Sequence, residues 1–286
     1  VRSKRIAAIG SAAFGEDEGW LNGFHIVPGG AALQVEGMSE ASILLLSAIA
    51  AVFLLAGFVK GVIGLGLPTV AMGLLGAIMA PAQAAALLII PSFVTNVWQL
   101  VAGPRMWPLL RRLWLMMLGV CAGTWAGAGW LTGEGAGRAT VGLGIALVVY
   151  ALVSLAAVRL HVPARAEPWL SPVVGAATGL ITAATGVFVI PAVPYLQALD
   201  LDKEALVQAL GLSFTVSTVA LAAGLARDGA FAAPLAGTSL LALVPALAGM
   251  LAGQYLRLRV QPVTFRRWFL LGLLALGAYL TLRPWL

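Results

Sequence analysis

Charge is what this sequence holds least of. Only 10% of its 286 residues are Asp, Glu, Lys or Arg, whereas 61% are hydrophobic, and the mean hydropathy is +0.99. None of the 11 acidic residues falls in the interior of an apolar run, Glu204 standing only at the start of one, so paired carboxylates at membrane depth are excluded. Cysteine is nearly absent: Cys121 alone can form neither a disulfide framework nor a thiol redox pair. The two histidines, His25 and His161, lie outside the apolar runs and far apart, which leaves no metal-ligand cluster. Without a nucleophile–base pair, a metal cluster or a carboxylate pair, an enzyme is not expected. No cofactor is expected either.

What is present is a series of apolar runs that reach the roughly 20 residues a spanning helix needs. They are continuous rather than alternating, which excludes an outer-membrane barrel. The fold class is therefore all-α, a polytopic membrane protein. The +6 net charge comes from basic residues concentrated in short loops. Such loops fix the orientation of a membrane protein, so the charge does not indicate nucleic-acid binding.

Residues 1–38 form a distinct tail, with Arg2, Lys4 and Arg5, a short apolar patch, and the acidic run Glu16-Asp17-Glu18. It is read as a poorly ordered or leader-like segment. Apolar segments follow at about 41–58, 62–79, 83–102, 111–132 and 139–158. A second group follows at about 170–181, 186–199, 204–225, 233–256 and 264–283. The expected organisation is a first membrane repeat over 39–160, a linker over 161–169 and a second repeat over 170–286.

The two groups share a pattern, and internal repeats are the first thing to look for. Gly57-x-x-Lys60-Gly61-x-Ile63 matches Gly175-x-x-Thr178-Gly179-x-Ile181. Ser92 and Asn96 fall opposite Ser213 and Ser217, and Gly123-x-x-x-Gly127 falls opposite Gly249-x-x-x-Gly253. If the first two segments of each group form a hairpin, each group crosses an odd number of times and the copies are inverted. Arg105, Arg111, Arg112, Arg159, Arg165, Lys203, Arg257, Arg259, Arg266 and Arg267 then share one side. The short loops of the other side carry only Arg138, Arg227 and Arg283. By the positive-inside rule the Arg-rich loops are cytoplasmic and both termini are extracytoplasmic, in a cell inner membrane. The expected architecture is thus two inverted repeats, each with a broken or re-entrant helical hairpin plus three spanning helices.

Inverted repeats with Gly- and Pro-interrupted segments at matching positions point to a transporter's binding site. Here those segments are Gly57–Pro68 and Gly175–Pro191. The first holds Lys60, the one charged residue in the apolar stretch from about 41 to 80, with Gly61 and Gly64 in the broken backbone beside it. Close helix packing by the glycines and a gate position for Lys60 are the competing readings. Ser92, Asn96 and Gln99 share a helix face by their spacing, and Ser213 and Ser217 repeat the first two positions. Thr178, Thr182 and Thr185 surround the second broken segment. Hydroxyls and unpaired amides at a helix start favour negative charge. Lys60, Gly61, Gly64, Ser92, Asn96, Gln99, Thr178, Thr182, Thr185, Ser213 and Ser217 are therefore the expected substrate-binding residues, and the substrate is an anion. An anion leaving a negative-inside cell gains about 2.3 kcal/mol per charge per 100 mV, so efflux needs no coupling ion. Trp98 and Trp125 lie deep in their segments and are expected to pack in the core, with lining a path as the competing role.

Three motifs resemble a known family: Gly57–Gly66 followed by Pro68, Gly175–Gly186 followed by Pro191, and Gln261-Pro262 through Arg266-Arg267 before the last helix. Over residues 41 to 285 the chain resembles the TauE/SafE sulfite exporter family. The resemblance implies transport of sulfite, sulfoacetate or related sulfonates, as an exporter or as an uptake permease. The implied partners are the small anionic substrate and the lipid bilayer, with a homodimer left open.

Overall fold

The computed structural model describes residues 40–133, 136–156, 161–257, 259 and 262–285. The tail over 1–38, Arg159 and Gln261 lie outside the described residues. Within them the regular structure is all helical. The first five helices are α1 (Glu40–Ile63), α2 (Leu67–Leu75), α3 (Pro81–Val101), α4 (Met106–Ala126) and α5 (Ala136–Leu155). They are followed by α6 (Glu167–Thr185), α7 (Ala192–Gln197), α8 (Lys203–Arg227), α9 (Ala233–Arg257) and α10 (Pro262–Leu282). Six stretches are long and apolar enough to cross a membrane; they lie in α1, α3, α5, α8, α9 and, from Thr264, in α10 and the turn that follows it.

The interrupted segments differ from the sequence expectation in where they break. α1 does not end near residue 58 but continues through Gly57, Lys60 and Gly61 to Ile63. The chain turns at Gly64 and Gly66, with φ of 81° and 110°, a region that glycine enters at little cost. Likewise α6 runs to Thr185 rather than 181 and is closed by Gly186 at φ 71°. The helices after the breaks are short: nine residues in α2 and six in α7. Residues 187–189, which join α6 to α7, are buried outside any helix.

Gly57 and Gly61 sit inside the helix because they are contact points, not breaks. A methyl group at Gly57 would lie 2.0 Å from the carbonyl oxygen of Ala246 on α9, and one at Gly249 would lie 2.0 Å from that of Leu54. The second half repeats the arrangement. A methyl at Gly175 would lie 2.1 Å from the Met116 oxygen on α4, and one at Gly119 would lie 2.4 Å from that of Pro172. No side chain fits at such separations, so both helix pairs pack backbone to backbone. The counterpart of Gly249-x-x-x-Gly253 is therefore Gly119-x-x-x-Gly123, one helical turn earlier than the sequence alignment placed it.

Packing partners also exchange between the halves. α1 packs on α9 and α6 on α4, while α5 packs on α10 and α3 on α8. The α3–α8 pair runs antiparallel. Ser92 meets Thr218 at 3.2 Å, the Gln99 amide donates to the Val207 carbonyl at 2.8 Å, and the Gln208 amide donates to that of Gly103 at 2.7 Å.

One end of the bundle is tied by charge. Arg112 forms a two-point ion pair with Glu167 at 2.7 and 2.8 Å and donates to the Leu199 carbonyl. Arg105 pairs with Asp202 and His161 with Asp200. At the other end Thr132 donates to Asp228 and Arg283 to the Ala77 carbonyl. Trp98 and Trp125 are 64% and 63% exposed on the outer surface, not packed in the core. Exposed aromatic and aliphatic side chains suit a surface whose solvent is lipid.

Candidate functional site

The site begins with a charge in an apolar interior. Lys60, one turn before the end of α1, is only 5% exposed. Its ammonium donates to Thr95 Oγ1 at 3.1 Å and to Asn96 Oδ1, both on α3. No Asp or Glu pairs with it among the described residues. A lysine at membrane depth costs about 3 kcal/mol unless it is satisfied, and here neutral oxygens do the satisfying.

A hydrogen-bonded chain continues from that contact. The Asn96 amide donates to Ser92 Oγ at 3.0 Å, one turn back on α3, and Ser92 meets Thr218 on α8. Lys60, Thr95, Asn96, Ser92 and Thr218 are all buried, so a line of polar groups links α1, α3 and α8 through the apolar interior. Pro91 shapes α3 beside it. Proline has no N–H, so the Leu87 carbonyl loses its helical donor. Ser239 of α9 supplies one, its hydroxyl reaching the Leu87 oxygen at 2.8 Å while accepting from the Ile90 amide at 3.2 Å.

The other expected residues separate into groups. Gly61 packs against Met250 and Gly253, and Gly64 makes the turn after α1. Gln99 is not part of the Lys60 network. Its amide is turned to α8, beside a cavity of about 390 Å³ lined by Gln99, Gly103, Lys203, Glu204, Gln208 and Arg257. Thr178, Thr182 and Thr185 are buried and donate to the carbonyls of Val174, Thr178 and Ile181, four residues back. Ser213 and Ser217 are buried with hydroxyls bonded to no protein group. Sequence reasoning missed Thr95, Ser239 and Thr124. Thr95 stands beside Asn96, and a look at immediate neighbours on the polar stripe would have found it.

The chain matches the family model described as Sulfite exporter TauE/SafE over residues 49–280. No curated protein and no solved structure matches it. The match spans most of the chain and every described residue of the Lys60 network, and the family is one of transporters. The chain thus belongs to the TauE/SafE sulfite exporter family of membrane transporters.

Proposed function

We propose that this protein is a secondary transporter that exports small sulfur-containing anions, such as sulfite, sulfoacetate or related sulfonates, across the inner membrane. The observation that carries the reading is the buried Lys60 ammonium, held by Asn96 and Thr95 with no acidic partner among the described residues. Neutral oxygens solvate a cation but do not cancel its charge, so an anion entering beside it gains a strong, poorly screened attraction. Lys60, Asn96 and Ser92 form the first wall of the site, with Gly61 and Gly64 shaping the backbone there. Thr178, Thr182, Thr185, Ser213 and Ser217 form the facing wall in the second half, where the Ser213 and Ser217 hydroxyls keep a proton free for the anion while the threonine protons are held by their own helix. Gln99 stands at the mouth of the path, beside Lys203 and Arg257.

The two repeats are inverted in this reading, over 39–160 and 170–286, joined by the linker 161–169. The exchanged glycine contacts and the antiparallel α3–α8 pair support it. α1–α2 and α6–α7 are re-entrant hairpins, as their short returning arms suggest. The Arg-rich end faces the cytoplasm and both termini face outward. An anion moving outward is then driven by the membrane potential alone. A second reading, uptake of sulfonates or other small organic anions, uses the same charge in the opposite direction and requires a coupling ion.

Thermal unfolding of the purified protein with sulfite, sulfoacetate, taurine, sulfate and thiosulfate tests the proposal. Sulfite or a sulfonate should raise the unfolding temperature in the parent and not in Lys60→Met. Stabilisation by none of them, or equal stabilisation of the variant, contradicts it.

A further inference from the structure

Eight threonines of the described chain are buried, and seven of them spend their proton on a carbonyl three or four residues back. Thr124 is the exception. Its hydroxyl, with those of Ser213 and Ser217, is buried and bonded to no protein group. These three residues belong to helices that pack mutually: Thr124 to α4, and Ser213 and Ser217 to α8, both against α6. The Thr124 amide lies against Gly179, between Thr178 and Thr182 in sequence; a methyl at Gly179 would come within 2.5 Å of it.

The repeated glycine contacts make Thr178 the counterpart of Lys60, and the matched polar positions of the sequence make Ser217 the counterpart of Asn96. In the first half a lysine ammonium fills the space between those helices. In the second half the shorter threonine does not carry its charge. The end of α6 also differs from the end of α1. A helix C-terminus carries about half a negative charge. α1 answers it with Lys60 in its last turn, whereas the last turn of α6 has no basic residue. Because Thr178 and Thr182 donate to their own helix, they turn lone pairs, not protons, toward their neighbours.

We infer that Thr124, Thr178, Thr182, Ser213 and Ser217 form a binding site for a monovalent alkali cation of sodium's size, in the place that Lys60 occupies in the first half. The ligands are neutral oxygens next to a helix C-terminus, the chemistry that holds sodium in other broken-helix transporters. Among the described residues no group of three His, Cys, Asp or Glu gathers to hold a divalent ion. The inference rests on the anion site proposed above: Lys60 and the bound cation flank the anion from the two halves. A cation that travels with the anion would supply the driving ion that uptake, the second of the two readings, requires, whereas a cation that stays bound leaves export to the potential.

The test is thermal unfolding of the full-length protein, free of sulfur anions, in sodium, potassium or choline chloride at equal ionic strength. Sodium should raise the midpoint by about 2 °C or more, saturably, and choline should not. Ser217→Ala and Thr124→Val should each lose most of that rise. Both should unfold no earlier than the parent in choline, because each removes a buried hydroxyl that lacks a partner. An equal rise in choline, a stronger rise in potassium, or a sodium response retained by both variants overturns the inference. Lys60→Met should keep the sodium response. If that variant also binds sulfite as the parent does, the anion site is wrong while the cation site stands.

Discussion

Lys60 on α1 donates its ammonium to Asn96 on α3, and Asn96 passes the contact on to Ser92 at 3.0 Å. The pair joins a cation to a neutral amide where a carboxylate would have been the simpler partner. That choice leaves the positive charge uncancelled, as the proposed anion site requires.

Asn96→Asp puts a carboxylate in the same place with almost no change of shape. It should pair with Lys60 and occupy the charge that the anion needs. Sulfite affinity measured by titration calorimetry should fall at least about tenfold, equivalent to about 1.4 kcal/mol, while thermal stability is kept or raised. Unchanged affinity would show that the anion does not use the Lys60 charge.

The glycine contacts predict matched damage in the two halves. Gly57→Ala and Gly175→Ala each drive a methyl to about 2 Å from a backbone oxygen. Overpacking of this kind costs about 1–3 kcal/mol, and here the opposing atom is backbone and cannot turn aside. Gly224→Ala and Gly237→Ala meet open space inside α8 and α9. They should be neutral or stabilise by up to about 1 kcal/mol. Thermal unfolding of the four variants should divide them into these two classes.

Ser239 replaces the donor that Pro91 removes. Ser239→Ala should leave the Leu87 carbonyl unpaired in the apolar interior, at a cost of about 1–3 kcal/mol. Adding Pro91→Ala restores the helical amide, so the double variant should recover much of that loss. A double-mutant cycle read by thermal unfolding should therefore be strongly non-additive. Additive losses would mean that the hydroxyl contact has no bearing on the proline.

Orientation can be read with thiol labelling, because Cys121 is the one native cysteine. In a Cys121→Ala background, Arg165→Cys should react with a membrane-impermeant maleimide only when the cytoplasmic face is open. Gly229→Cys should react from the opposite face. Labelling of both from one side would contradict the inverted arrangement.

The polar stripe was legible because Ser92 and Asn96 stand one turn apart, and helical spacing alone puts them together. The pairing with Lys60 was not, since a lysine in a glycine-rich run reads equally as a gate or a site until its partner helix is known. The glycines misled for a related reason. Gly57 and Gly61 can break a helix or let another helix approach, and only the Ala246 and Met250 carbonyls decide between these. The repeat register slipped by a turn because Gly119, Gly123 and Gly127 are evenly spaced, so two alignments fit equally well. Thr124 and Ser239 gave no signal, because their roles depend on helices distant in sequence.

The central claim is that the Lys60 ammonium binds a sulfur-containing anion. Titration calorimetry of sulfite and sulfoacetate against the purified parent and Lys60→Met tests it most directly. The account predicts saturable binding to the parent and a loss of at least about tenfold in the variant, with the variant's unfolding temperature unchanged or higher. Equal affinity for both proteins, in a variant that remains folded, would contradict it.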